Sequence, residues 1–240
     1  MLILISILLV SIFIYLFHKQ IKKHSNIFYI LAIIISIGFI LYFQLNLDEQ
    51  VPKKINEYVV KIFSKSIVST AMFTIVMYTG VLDKKMNITK RLYSIRGELS
   101  IIACILTLGH NILYGITNFV ILFTDPTSMK LPKLIAAIVS VVLIVIMIPL
   151  MITSFTSVRK RIPFKKWKAI QRSAYVFYGL IYVHIMCLIV PKMQKGKFYD
   201  VLIYTFIFGL YYIARIYRFM KDKKVRDNRI KNKLNVSQNA

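Results

Sequence analysis

Two histidines, His110 and His184, are the residues best placed to do chemistry. Each sits inside a long apolar run, ELSIIACILTLGHNILYG and SAYVFYGLIYVHIMCLIV respectively. An ionisable side chain inside a hydrocarbon-spanning helix is costly and is retained for a partner or a task. His110 lies 14 residues beyond Arg96, and His184 lies 12 beyond Arg172. At ~1.5 Å per residue these separations are ~21 Å and ~18 Å, within a hydrocarbon core about 30 Å thick. Both imidazoles therefore fall at similar depth, somewhat outside the midplane.

Two imidazoles at matching depth on parallel helices suit the two axial positions of a haem iron held between those helices. Bis-imidazole ligation fills both axial sites and favours electron transfer over oxygen chemistry. The second nitrogen of each ring then needs an acceptor, and Thr107 or the carbonyls of Leu106 and Leu180 are candidates. The bland alternative is a hydrogen bond from each histidine across a helix bundle. His18 and His24 lie in a polar, basic linker and read as surface residues. Cys104 and Cys187 show no metal-ligand spacing and read as small buried hydrophobes, although Cys187 follows His184 by three residues.

The elements that position the histidines are long apolar segments. The chain has 240 residues and is 58% hydrophobic, which with runs of this length is the composition of a polytopic membrane protein. Seven segments qualify: Leu2–Phe17, Ile27–Leu45, Ser66–Leu82, Glu98–Phe123, Leu134–Phe155, Ser173–Val190 and Phe198–Tyr217. The first is at the short limit and reads as a tilted or partial span. The third is expected to start near Tyr58, with Lys61 and Lys65 reaching toward the surface. Pro149 is expected to bend the fifth helix. The N-terminus has no basic leader or small-residue cleavage site and reads as a retained first helix.

The net charge of +24 comes from 33 Lys and Arg against 9 Asp and Glu. Most of the cations fall in the first, third and fifth linkers and in the tail from Arg215 onward, and the linkers between are poorer. This alternation places the basic side in the cytoplasm and the N-terminus outside. Topology alone thus accounts for the charge, and nucleic acid is not a predicted partner. The tail reads as a solvated or lipid-surface segment.

The stretch ITSFTSVRKRIPFKKWKAIQRSAYVFYGLIYVH, with Thr153, Ser154, Trp167, Arg172, Tyr175 and His184, resembles the ferric reductase-like transmembrane domain family. Its nearest branch is the haem-bearing membrane subunit of bacterial methionine sulfoxide reductase systems. RLYSIRGELSIIACILTLGH is similar to the family helix that carries its own haem histidine, here His110. The resemblance runs from about Ser66 to Tyr217. It implies an all-α, six-helix core that carries b-type haem, with one helix added at the N-terminus. The chain divides accordingly into N-terminal helices (1–57), a haem-binding core (58–217) and a basic tail (218–240).

One departure from the family matters. Thirteen residues before its second haem histidine, that branch carries another histidine for an inner haem or flavin region. Here that position is Gln171, and the position 13 before His110 is Gly97. The expectation is therefore one haem b, held by His110 and His184. Electrons would reach it from a quinol, a flavin or a partner protein at the basic face, where Arg96, Arg172 and Trp167 could hold a phosphate or a ring. Their plainer role is interfacial anchoring. The acceptor would be external, such as ferric iron or a redox protein, which would make the chain the membrane component of an oxidoreductase. A haem-less scaffold of the same fold is the alternative. A small transporter has less support, because no acidic residue lies deep in a helix.

Overall fold

The computed structural model describes residues 1–56 and 60–238. Tyr58, the expected start of the third span, and Glu57 lie outside the described residues. Among the described residues the structure is helical and contains no strand. In chain order the principal helices are α1 (Leu2–Lys23), α2 (Ser25–Gln44), α3 (Ile67–Thr79), α4 (Arg96–His110), α5 (Leu131–Ile152), α6 (Phe164–Ile189) and α7 (Phe198–Gln238). A π-turn at Asn111–Gly115 carries α4 into a further helix, Ile116–Thr124. Six of these helical units are long and apolar enough to cross a membrane, and α3 is a shorter apolar helix. The protein is a multi-pass membrane helical bundle.

The shortest helix is the most enclosed. α3 has 13 residues, of which Val68–Thr74, Val76, Met77 and Thr79 are buried. A helix that is apolar all round belongs in the middle of a bundle, and α3 packs between α1 and α4 with α6 against it. The expected continuous third span is instead broken at Ser66, whose φ of 59° is left-handed and cannot continue a right-handed helix. Lys61–Ser64 forms a separate short helix before the break.

The outer helices show a single buried stripe each. α1 buries Ile3, Ser6, Val10, Ile14 and Ile21, spaced at whole numbers of turns, while Leu4, Leu8 and Ile12 face outward. α2 buries only Ala32. It meets α4 through small residues. A Cβ at Gly109 would lie 2.7 Å from the Ser36 Cβ, so the glycine sets how closely the two helices approach. The Ser36 hydroxyl donates to the Ile105 carbonyl at 3.4 Å across the same contact.

Aromatic rings fill the centre between α3, α6 and α7. Tyr178 is fully buried, stacks on Phe208 at 4.3 Å, and meets Tyr211 edge-on at 5.0 Å. Its hydroxyl donates to Thr74 Oγ1 at 3.1 Å, and the Tyr78 hydroxyl donates to the Ile207 carbonyl at 2.7 Å. Each phenol thus satisfies its polar tip inside an apolar core.

Contacts between linkers define the two ends of the bundle. At the basic end Lys22 pairs with Glu98 at 2.8 Å, Arg91 lies over the Tyr15 ring, and Tyr29 packs edge-on against Phe155. At the other end the N-terminal amine pairs with Asp200, and Lys197 pairs with the same carboxylate at 2.8 Å.

Several boundaries differ from the sequence reading. α1 runs to Lys23 and is long enough to span. α6 begins at Phe164, directly after Pro163, so the basic stretch KKWKAIQR is the first part of the histidine helix rather than linker. Nothing after Pro163 breaks the helix, and these residues are good helix formers. α5 continues through Pro149 and ends three residues later, with Thr153 Oγ1 donating back to the Pro149 carbonyl at 2.6 Å. α7 runs without interruption through Tyr217 to Gln238.

Candidate functional site

His110 is the last residue of α4, immediately before the π-turn. Such one-residue widenings of a helix commonly mark functional positions, because they redirect side chains. Its Nδ1 lies 2.7 Å from the Ser64 carbonyl oxygen. The break at Ser66 explains that acceptor. The last carbonyls of a helix have no partner within it, and Ser64 ends the short helix before the break. Thr107 and Ser66 side chains meet at 3.4 Å one turn away and tie α4 to the start of α3.

His184 sits near the C-terminal end of α6, five residues before Ile189, and faces α5. Its Nδ1 lies 3.1 Å from the Ala136 carbonyl and 3.1 Å from Ser140 Oγ. The Ser140 hydroxyl itself donates to the Ala136 carbonyl at 2.9 Å, so its oxygen remains free to accept from the ring. Both acceptors come from other elements. They are not Thr107, whose hydroxyl donates to the Ala103 carbonyl at 2.8 Å, nor the carbonyls of Leu106 or Leu180 expected from the sequence.

These partners fix the tautomers. A carbonyl oxygen can only accept, so Nδ1 of each ring carries the hydrogen and Nε2 of each neutral ring holds the lone pair. The two imidazoles lie within electrostatic range of one another. Among the described residues no group of three or more His, Cys, Asp and Glu forms a metal cluster. A metal held at this pair would therefore have to bring its remaining ligands with it, as a porphyrin does.

Arg96, Trp167 and Arg172 lie together at one place in the fold. They line one cavity of about 1050 Å3 at the basic end of the bundle, with Gly97 and Gln171 in the same wall. The Trp167 indole N–H donates to the Thr153 carbonyl at 3.0 Å, and Gln171 Nε2 donates to Thr153 Oγ1 at 3.0 Å. The Arg159 guanidinium lies over the Trp167 ring at 4.6 Å. A Cβ at Gly97 would lie 3.2 Å from the Ser154 carbonyl, so α4 and the end of α5 approach closely there. The histidine pair and this cavity are separate. Cys104 and Tyr178 line the cavity, and each lies six residues along its helix from the histidine of that helix, about 9 Å at 1.5 Å per residue.

Sequence reasoning missed Ser64, Ala136 and Ser140. Ser140 carried a signal, being the only polar side chain between Leu134 and Ile152. Ser64 and Ala136 contribute backbone oxygens and carried none.

The fold and the half-buried histidine pair define a polytopic membrane protein with a candidate cofactor site within the bundle. Residues 65–182, just under half of the chain, match the family described as ferric reductase like transmembrane component. The chain is also similar to a Treponema pallidum (strain Nichols) protein described only as uncharacterized, with 33% identity over 228 residues. That match covers 92% of this chain and 61% of the relative, so the chain spans about three fifths of the relative's length. No solved structure matches the chain.

Proposed function

We propose that the protein transfers electrons in the membrane through one b-type haem, whose iron is held between α4 and α6 by Nε2 of His110 and Nε2 of His184. One observation carries this reading. Both imidazoles have Nδ1 tied to an acceptor on a neighbouring element, which leaves the lone pairs of their other nitrogens for a metal. A haem held by His110 and His184 would supply a one-electron iron centre suited to passing electrons rather than activating oxygen. The chain's own part is to hold two neutral imidazoles at one depth, fix their tautomers and surround them with apolar helices.

Electrons enter at the basic end, where Arg96, Trp167 and Arg172 line the cavity. A quinol, a flavin or a partner protein is the donor. The basic end lies in the cytoplasm and the N-terminus lies outside, because the Lys- and Arg-rich linkers gather at one end. Electrons leave to an external acceptor such as ferric iron or a secreted redox protein. The second of these fits the likeness of the 153–184 stretch to the membrane subunit of methionine sulfoxide reductase systems.

The deciding experiment is a reduced-minus-oxidised absorption spectrum of the purified protein with His110→Ala and His184→Ala alongside. The expected result is a low-spin b-type spectrum at about one haem per chain, lost in either variant. Absence of haem after expression with ample haem supply overturns the reading and leaves a haem-less scaffold of this fold in front. Two haems per chain would show that a second pair of ligands exists despite Gln171 and Gly97.

A further inference from the structure

We propose that Ser66 is a positioning residue for His110. Its left-handed backbone breaks the third span and so turns the Ser64 carbonyl toward the imidazole. The consequence for a metal rests on the haem reading above, whereas the hold on the ring does not.

In an uninterrupted helix the Ser64 carbonyl would accept from the N–H of Val68, four residues on. At the break the neighbouring carbonyls are served locally. The Lys65 N–H donates to the Lys61 carbonyl at 3.1 Å, and the Ser66 N–H donates to the Phe63 carbonyl at 3.0 Å. The Ser64 carbonyl is left to the His110 ring, which donates to it at 2.7 Å. Ser64 and Ser69 on either side of the break are 2% and 1% exposed, so little water can stand in for a lost partner. His184 makes a contrast. Its acceptor, the Ala136 carbonyl, lies inside unbroken α5 and already takes the Ser140 hydroxyl. That ring sits farther off, at 3.1 Å, and shares its hydrogen with Ser140 Oγ. The carbonyl freed by a break is the closer acceptor.

Among the described residues two that are not glycine have positive φ, Asn46 at 52° and Ser66 at 59°. Asn46 lies just past the end of α2, where asparagine commonly takes this conformation. Ser66 lies between two helical pieces of one apolar segment, where a left-handed residue is unfavourable. Such conformations persist only where the surroundings over-determine them, and they gather at functional sites. Here the surroundings are specific. The Ser66 carbonyl accepts from the Thr70 N–H at 3.0 Å, the Thr70 hydroxyl at 2.9 Å and the Ser69 hydroxyl at 3.0 Å. The Ser66 hydroxyl meets Ser69 Oγ, and it meets Thr107 Oγ1 three residues before His110. A right-handed residue at 66 would make the span continuous and give the Ser64 carbonyl to Val68. The Nδ1 hydrogen of His110 would then lose its acceptor. An acceptor on Nδ1 selects the tautomer whose Nε2 lone pair is free, and it raises the basicity of that nitrogen toward a metal.

The test reads the ring directly, without haem and with it. The full chain, in a His18→Gln, His24→Gln background, is labelled at the histidine ring nitrogens and the serine carbonyl carbons and reconstituted in phosphatidylcholine. Solid-state NMR distinguishes Nδ1–H from Nε2–H imidazole, and His110→Gln identifies the remaining signal as His184. Ser66→Gly takes the left-handed conformation freely while removing the hydroxyl, and Ser66→Val resists that conformation because it is β-branched. In the parent and in Ser66→Gly, His110 is expected as the single Nδ1–H tautomer coupled to a serine carbonyl carbon. In Ser66→Val the coupling is expected to vanish and both tautomers to appear, with His184 unchanged throughout. An unaltered His110 in Ser66→Val overturns the proposal. Equal loss in the Gly and Val variants also overturns it, because the hydroxyl rather than the backbone would then hold the ring. Should Ser66→Val fail to assemble, Ser66→Ala is read in its place, since its Cβ meets the same objection with less bulk. On haem-loaded samples the midpoint potential is expected to shift upward in Ser66→Val and to stay at the parent value in Ser66→Gly, because a more basic imidazole favours oxidised iron. A parent without haem sinks the electron-transfer reading and leaves the tautomer result standing, so the two failures are seen separately.

Discussion

At the residue scale, the two histidines are held by different means, and the difference is testable. His110 leans on the Ser64 backbone carbonyl, which no substitution of Ser64 itself removes. His184 shares its Nδ1 hydrogen between the Ala136 carbonyl and Ser140 Oγ. Ser140→Ala keeps the carbonyl and removes the hydroxyl. Partners of this kind orient a metal-binding ring, and their loss typically weakens binding by about 10–100-fold. The expected outcome for Ser140→Ala is a normal low-spin spectrum with haem lost to a competing haem-binding protein about tenfold faster. His184→Ala should abolish the spectrum outright. An unchanged loss rate in Ser140→Ala would show that the carbonyl alone orients the ring.

At the element scale, the position of α4 depends on its approach to α2 at Gly109. Gly109→Ala places a Cβ 2.7 Å from the Ser36 Cβ, and something must shift. Overpacking of this sort costs about 1–3 kcal/mol, and the next residue is His110. Lower thermal stability and reduced haem occupancy are therefore expected together. Ser36→Gly removes the atoms that clash, so the double variant should recover most of both, a coupling that a double-mutant cycle reads directly. Tyr178→Phe makes a milder case. It deletes the bond to Thr74 while leaving the stack on Phe208 intact. Hydrogen bonds within membrane bundles average about 0.6 kcal/mol, so a small drop in the unfolding midpoint with an unaltered haem spectrum is expected.

At the scale of the whole molecule, the prediction concerns which end faces which compartment. The first, third and fifth linkers meet at one end of the bundle, as the Lys22–Glu98 and Tyr29–Phe155 contacts show. With Cys104 and Cys187 replaced by Ala, single cysteines at Lys130 and Lys160 report the two ends. A membrane-impermeant maleimide on intact cells should label Lys130→Cys, and should label Lys160→Cys only after permeabilisation. The reverse pattern would invert the bundle and move the arginine-lined cavity to the outer face.

Much of this protein was legible before any coordinates. Long apolar runs leave the backbone little choice, since in lipid every N–H and C=O must find a partner within the chain and helices provide one locally. Hence the apolar helices, the two histidines inside them, and the gathering of Arg96, Trp167 and Arg172 at the basic end were readable as sequence. The break of the third segment at Ser66 was not, because nothing in SKSIVS announces a left-handed residue. The run of α6 back to Phe164 was hidden because charged residues look like linker even when they form good helix. What only the tertiary structure decided are contacts between residues far apart in the chain. Ser64 meets His110 and Ala136 meets His184 through backbone oxygens, which carry no side-chain identity to read. Arg215 joins Arg96 in one cavity because α7 packs back beside α6, and the composition of either helix alone does not specify that neighbour.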